Sequence, residues 1–157
     1  MSSSVKMWAK YGSPFAPSFK RSLVLWDVPA DIEIGVIPKR IYCHKDLVKP
    51  LDKAFRALIA SGRVKELKTW DGCYNIRPIR GMEKKWERFQ AEGYPQAGAK
   101  YLSTHAWGLA IDVNAFENGL GKRPKLSASF VKCFTDAGFL WGGYFTRLDG
   151  MHFELSI

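Results

Sequence analysis

The side chains of this chain that could do chemistry fall in two short stretches. One is Ser103-Thr104-His105-Ala106-Trp107-Gly108-Leu109-Ala110-Ile111-Asp112, and the other is Asp149-Gly150-Met151-His152. Together they supply two imidazoles, a carboxylate seven residues after the first, and another three residues before the second. That is the inventory of a catalytic zinc site, in which three protein ligands leave a fourth position for water. His105, Asp112 and His152 form a two-histidine, one-carboxylate set. Zinc brings the pKa of a bound water towards neutrality, and a nearby carboxylate accepts its proton as a carbonyl is attacked. Asp149, beside Gly150 in a turn, has the position for that base. A lone histidine is ordinarily a hydrogen-bonded structural residue. Here two of the three histidines share matched contexts, which favours a metal. His44 lies outside both and reads as structural or surface.

The elements that must position these groups follow from periodicity. In 109–113 the period is two: Leu109, Ile111 and Val113 face one way, Ala110 and Asp112 the other. In 151–155, Met151, Phe153 and Leu155 form the apolar set, leaving His152 and Glu154 opposite. Gly108 and Ala110 are small and leave room for metal and substrate. Asp46 and Pro50 start a helix whose apolar residues, Leu47, Leu51, Ala54, Phe55, Leu58 and Ile59, repeat every three or four positions until Gly62. A second helix spans 126–137 and stops at Gly138. Strands are expected at 23–26, 40–43, 66–70 and 73–77, the last two joined by a turn at Asp71-Gly72. Residues 1–20 read as an irregular arm anchored by aromatics, and 82–101 as a long mobile connection. The sum is one α+β domain over 1–157, a small, mainly antiparallel sheet with helices packed to one side.

Bulk properties agree with one core: 157 residues, 46% of them hydrophobic. Three cysteines without a CxxC spacing argue against a disulfide framework or a structural zinc knuckle. They read as reduced, buried thiols, with Cys73 an outer neighbour of the site. No apolar span approaches the roughly 18 residues of a membrane helix, and residues 1–7 lack a secretory pattern. Synthesis in the cytoplasm is therefore expected. The formal charge of +9, from 24 basic and 15 acidic residues, favours anionic partners, either nucleic acid, anionic lipid or the anionic polymers of a bacterial envelope. The basic residues never form a run of five, and no nucleic-acid-binding signature is present.

The pattern Ser103-x-His105-x-x-Gly108-x-Ala110-x-Asp112, followed by Asp149-x-x-His152, resembles the M15 family of zinc D,D-peptidases and L-alanyl-D-glutamate peptidases. Peptidoglycan carboxypeptidases, D-Ala-D-Ala dipeptidases and phage endolysins are in that family. The resemblance is clearest from about Trp70 onward. It implies that His105, Asp112 and His152 hold Zn2+ and that Asp149 is the base where the family often has Glu. The shorter side chain then requires the turn to come closer. Ser103 corresponds to a family serine that orients a ligand or binds substrate. Residues 74–81 resemble the segment whose arginine approaches substrate, with Arg77 the first choice for a catalytic role and Arg80 the second. Trp141 is a candidate cleft wall. The implied fold is that of the Hedgehog-like D,D-peptidases. The implied function is zinc-dependent hydrolysis of an amide bond in peptidoglycan stem peptides, by a monomeric phage or prophage lysin acting on the cell wall. The alternative is a basic binding module for wall polymer or nucleic acid, with a structural or degenerate metal site.

Overall fold

Two apolar alternations build the centre of the molecule. In the computed structural model, which describes residues 1–157, Leu109, Ile111, Val113 and Phe153 are buried without residue. Each such side chain contributes about 1.5–3 kcal/mol through removal from water. The chain begins with helices α1 (Ser3–Tyr11) and α2 (Pro17–Lys20), then strands β1 (Leu23–Asp27) and β2 (Arg40–His44). Helix α3 (Val48–Ala60), strand β3 (Trp70–Gly72) and helix α4 (Glu83–Ala91) follow. The last elements are β4 (Ala110–Val113), α5 (Ala128–Thr135), β5 (Phe139–Trp141) and β6 (His152–Leu155). Strands β1 and β2 pair as an antiparallel ribbon, and the other four form an antiparallel sheet in the order β3-β4-β6-β5. The fold is α+β, and no helix is long and apolar enough to cross a membrane.

Helices α3 and α5 cover the apolar side of this sheet. Leu51, Ala54, Phe55 and Leu58 of α3 are buried, as are Phe130, Val131 and Phe134 of α5. Phe134 packs on Phe153 with ring centroids 4.5 Å apart. One cluster of 29 buried residues runs from Met7 in α1 to Phe153 in β6. All three cysteines are free and buried within it.

Three expectations need correction. Residues 3–11 are a helix rather than an irregular arm: Ser2 accepts the Val5 N–H as a cap, and Met7 and Trp8 are buried on one side. Trp8 meets Trp107 edge-on, and Trp107 Nε1 donates to the Gly12 carbonyl at 3.0 Å. The arm thus packs on the turn that carries His105. Residues 82–101 are ordered as well, in α4 and a 3-10 turn at Gln96–Tyr101. Charges at 83–88 disguise an apolar pair, Trp86 and Phe89, three residues apart, which joins Phe15 and Tyr94 in an aromatic cluster. The strands expected at 66–70 and 73–77 shrink to β3, preceded by a 3-10 turn at Arg63–Glu66. The Asp71-Gly72 turn falls inside β3, and residues 73–78 run extended beside 102–105. Asn75 N donates there to the His105 carbonyl and Ser103 N to the Arg77 carbonyl, each at 3.1 Å.

A local substitution of roles occurs before α3. His44 is 1% exposed, and its Nδ1 accepts the Asp46 N–H at 2.9 Å, so His44 is the cap expected of Asp46. The Asp46 carboxylate instead accepts the Tyr11 hydroxyl at 3.0 Å.

Candidate metal centre

Strand register brings the first two groups together. Asp112 of β4 lies directly opposite His152 of β6, so the alternation puts both side chains on the face turned away from the core. His105 arrives from a 3-10 turn, Thr104–Trp107, capped by the Ser103 hydroxyl, which accepts the His105 N–H at 3.3 Å. Gly108 ends that turn in the left-handed conformation at φ 66°, and a Cβ there would stand 2.8 Å from the His44 backbone nitrogen. Only glycine meets both demands, and it swings the chain directly into β4.

His105, Asp112 and His152 present ligand atoms that all lie within 4.8 Å of one another. His105 Nδ1 sits 2.5 Å from the Cys73 carbonyl and must donate to it. Its Nε2 is left as a lone pair. That nitrogen stands 3.1 Å from Asp112 Oδ2, at ion-pair distance, yet makes no hydrogen bond. A lone pair facing a carboxylate oxygen is repulsive unless a cation lies between them. His152 repeats the arrangement: Nε2 faces Glu154 Oε2 at 2.9 Å, and Nδ1 faces Asp112 Oδ1 at 3.3 Å. Burial pulls the His152 pKa down, but the hydrogen bonds it donates to Asp112 and Glu154 outweigh it and raise it to about 10. Without a metal, a proton supplies the positive charge that this position demands. For Asp112, too, burial opposes ionisation, and a positively charged imidazole beside it overcomes it and holds the carboxyl well below its usual range. The donor set, two nitrogens and one carboxylate, suits zinc with an open position, and each imidazole is fixed from behind by an oxygen acceptor.

Two of these residues adjoin a cavity of about 360 Å³, and His105 lies behind them outside its lining. Asp112 and His152 line it, together with Asp149, Arg77 and Arg80. Asp149 is set by its turn: its N–H donates to the Gly142 carbonyl at 2.9 Å, and its carbonyl accepts the His152 N–H at 3.0 Å. Gly142 permits this approach, since a Cβ there would lie 2.3 Å from the Asp149 carbonyl oxygen. Burial raises the Asp149 pKa; Asp112 pushes it further the same way, against the pull of His152 and Arg80. A carboxylate with raised proton affinity suits a general base.

The other sequence candidates separate. Arg77 and Arg80 both reach the cavity, Arg77 from the extended segment rather than from a strand. Ser103 lines it too while capping the His105 turn. Trp141 is not among the lining residues; its indole N–H donates to the Gly150 carbonyl at 2.8 Å, making it a brace for the Asp149 turn instead of a wall. Cys73 neighbours the site through its carbonyl. Four contributors escape sequence reasoning: Glu154, Thr104, Arg147 and Ser3. For Glu154 a signal exists, a carboxylate two residues after His152 on the same strand face. For Ser3, a hundred residues from the motifs, none does.

Residues 97–155 match the family model described as D-alanyl-D-alanine carboxypeptidase, in the M15 peptidases. The M15 resemblance is thereby borne out over the segment that contains His105, Asp112, Asp149 and His152. Among solved structures, the chain is similar to a mutant of the vancomycin resistance D,D-pentapeptidase VanY from a VanB-type resistance cassette, in complex with Zn(II). Identity is 18%, coverage is 82% of each chain and the TM-score is 0.39. No curated protein matches the chain by sequence.

Proposed function

We propose that this chain is a zinc-dependent peptidase that hydrolyses an amide bond in peptidoglycan stem peptides. The observation that carries the reading is the convergence of His105 Nε2 and His152 Nδ1 on the two oxygens of Asp112, beside a cavity that Asp149 lines. The family description over residues 97–155 supports stem peptides as the substrate class. A bound zinc ion supplies Lewis acidity, polarising the scissile carbonyl and acidifying water. Asp149 takes the proton of the attacking water and returns it to the leaving amine. Arg77 places a guanidinium in the cavity for the oxyanion that develops on the carbonyl, and Arg80 binds substrate beside it. The charge of +9 supports a monomeric lysin of phage or prophage type working on the anionic cell wall.

The test is digestion of purified peptidoglycan, with mass spectrometry of the released muropeptides, before and after chelation. New amine and carboxyl ends within stem peptides, lost on chelation and restored by zinc, are the expected result. Chelator-insensitive retention on the wall without any cleavage would replace this reading with that of a binding module.

A further inference from the structure

Behind His152 lies a carboxylate that the peptidase chemistry leaves unassigned. Glu154 is 2% exposed, and its only charged partner is His152. Three hydrogen bonds account for both of its oxygens. Oε2 accepts from His152 Nε2 at 2.9 Å and from the Thr104 hydroxyl at 2.8 Å, while Oε1 accepts from the Ser3 hydroxyl in a close contact. A buried carboxylate is costly unless satisfied in this way. Thr104 immediately precedes His105, so a single hydroxyl ties the β6 ligand to the turn holding the first one. Ser3 opens α1, whose Trp8 packs against Trp107 in that same turn.

We propose that Glu154 is a positioning residue of the metal centre: held by Thr104 and Ser3, it keeps the proton of His152 on Nε2 and offers Nδ1 to the metal. The proposal rests on the zinc reading above. Glu154 does not touch the metal, because it approaches the ring from the nitrogen opposite the one that faces Asp112. With the carboxylate in place, one ring orientation is selected, with Nε2 turned to Glu154 and Nδ1 towards Asp112. The first turn of α1 becomes part of this support, which links a helix far from the motifs to zinc affinity.

Zinc affinity, measured by competition with a chromophoric chelator, separates the possibilities. The wild-type chain must bind one equivalent; if it binds none, the zinc reading itself fails. Given wild-type binding, Glu154→Gln keeps the size of the side chain and should weaken zinc by roughly ten- to a hundredfold. In the zinc-loaded protein, proton NMR should then show the His152 Nε2–H resonance moving upfield as its carboxylate acceptor becomes an amide, a change that general loss of packing does not produce. Ser3→Ala should weaken zinc by a smaller factor, and Ser3→Thr should restore it. Glu154→Gln with wild-type affinity and an unchanged Nε2–H resonance overturns the proposal. If that variant does not fold, unaltered zinc affinity in Ser3→Ala overturns it instead.

Discussion

At the scale of single residues, the proposed function separates groups that would hold a metal from groups that would move a proton. Asp149→Asn keeps the shape of the side chain but cannot accept a proton. Hydrolysis should fall by roughly two to four orders of magnitude, with zinc content unchanged by elemental analysis. Asp112→Asn should lose zinc itself, because it faces both imidazoles. An Asp149→Asn variant that loses zinc to the same extent would make Asp149 a ligand rather than the base. Arg77→Lys keeps the charge without the planar fork, so turnover should drop much more than substrate binding weakens. An unchanged rate there, with Arg80→Ala crippled, would move the role to Arg80. His105, Asp112 and His152 are legible in the sequence because side-chain type and strand alternation are local properties. Glu154 is harder to read: its strand face is visible, but its partners depend on which turn packs against β6. Trp141 misleads for a related reason, since an aromatic beside two glycines reads equally as wall or brace.

Among the elements, the turn between His105 and β4 depends on a glycine. Gly108→Ala places a Cβ 2.8 Å from the His44 nitrogen on a left-handed backbone at φ 66°. A cost of about 1–3 kcal/mol from the backbone alone is expected. It should appear as a lower thermal midpoint together with weaker zinc retention, as the His105 ring shifts. Full zinc affinity in a destabilised Gly108→Ala protein would show that the turn does not set the ligand geometry. The helix α3 and the strands β4 and β6 are legible because their periods are clean, and β1, β2 and α5 because short apolar runs end at turn residues. Helix α4 is not, because its buried Phe89 and half-buried Trp86 find their partners in Phe15 and Tyr94, outside the helix. The short β3 is equally obscure: a three-residue strand is defined by its neighbour β4 more than by its own sequence.

For the whole molecule, charge and core act on different partners. The excess of nine positive charges should draw the protein to anionic wall polymers through a screened, long-range field. Retention of the Asp149→Asn variant on purified walls should therefore fall steeply as salt rises from about 0.01 M to 1 M, where the screening length shrinks from about 30 Å to 3 Å. Salt-independent retention would move recognition into the cavity. The single core was foreseeable from composition, whereas the docking of α1 onto the ligand turn was not, because it depends on Trp8 meeting Trp107 across the fold. The sheet order β3-β4-β6-β5 also governs when the centre comes into existence. β6 is an interior strand, and the Asp112–His152 contact closes a separation of 40 residues. Pairings of that span form late, because loop closure comes before the reward of contact. During synthesis, then, His105 and Asp112 leave the ribosome as an incomplete pair of candidate donors, and the third arrives only when β6 inserts between its neighbours. On the zinc reading, the complete donor set therefore exists only once β6 has paired with β4, and metal capture is coupled to that last pairing.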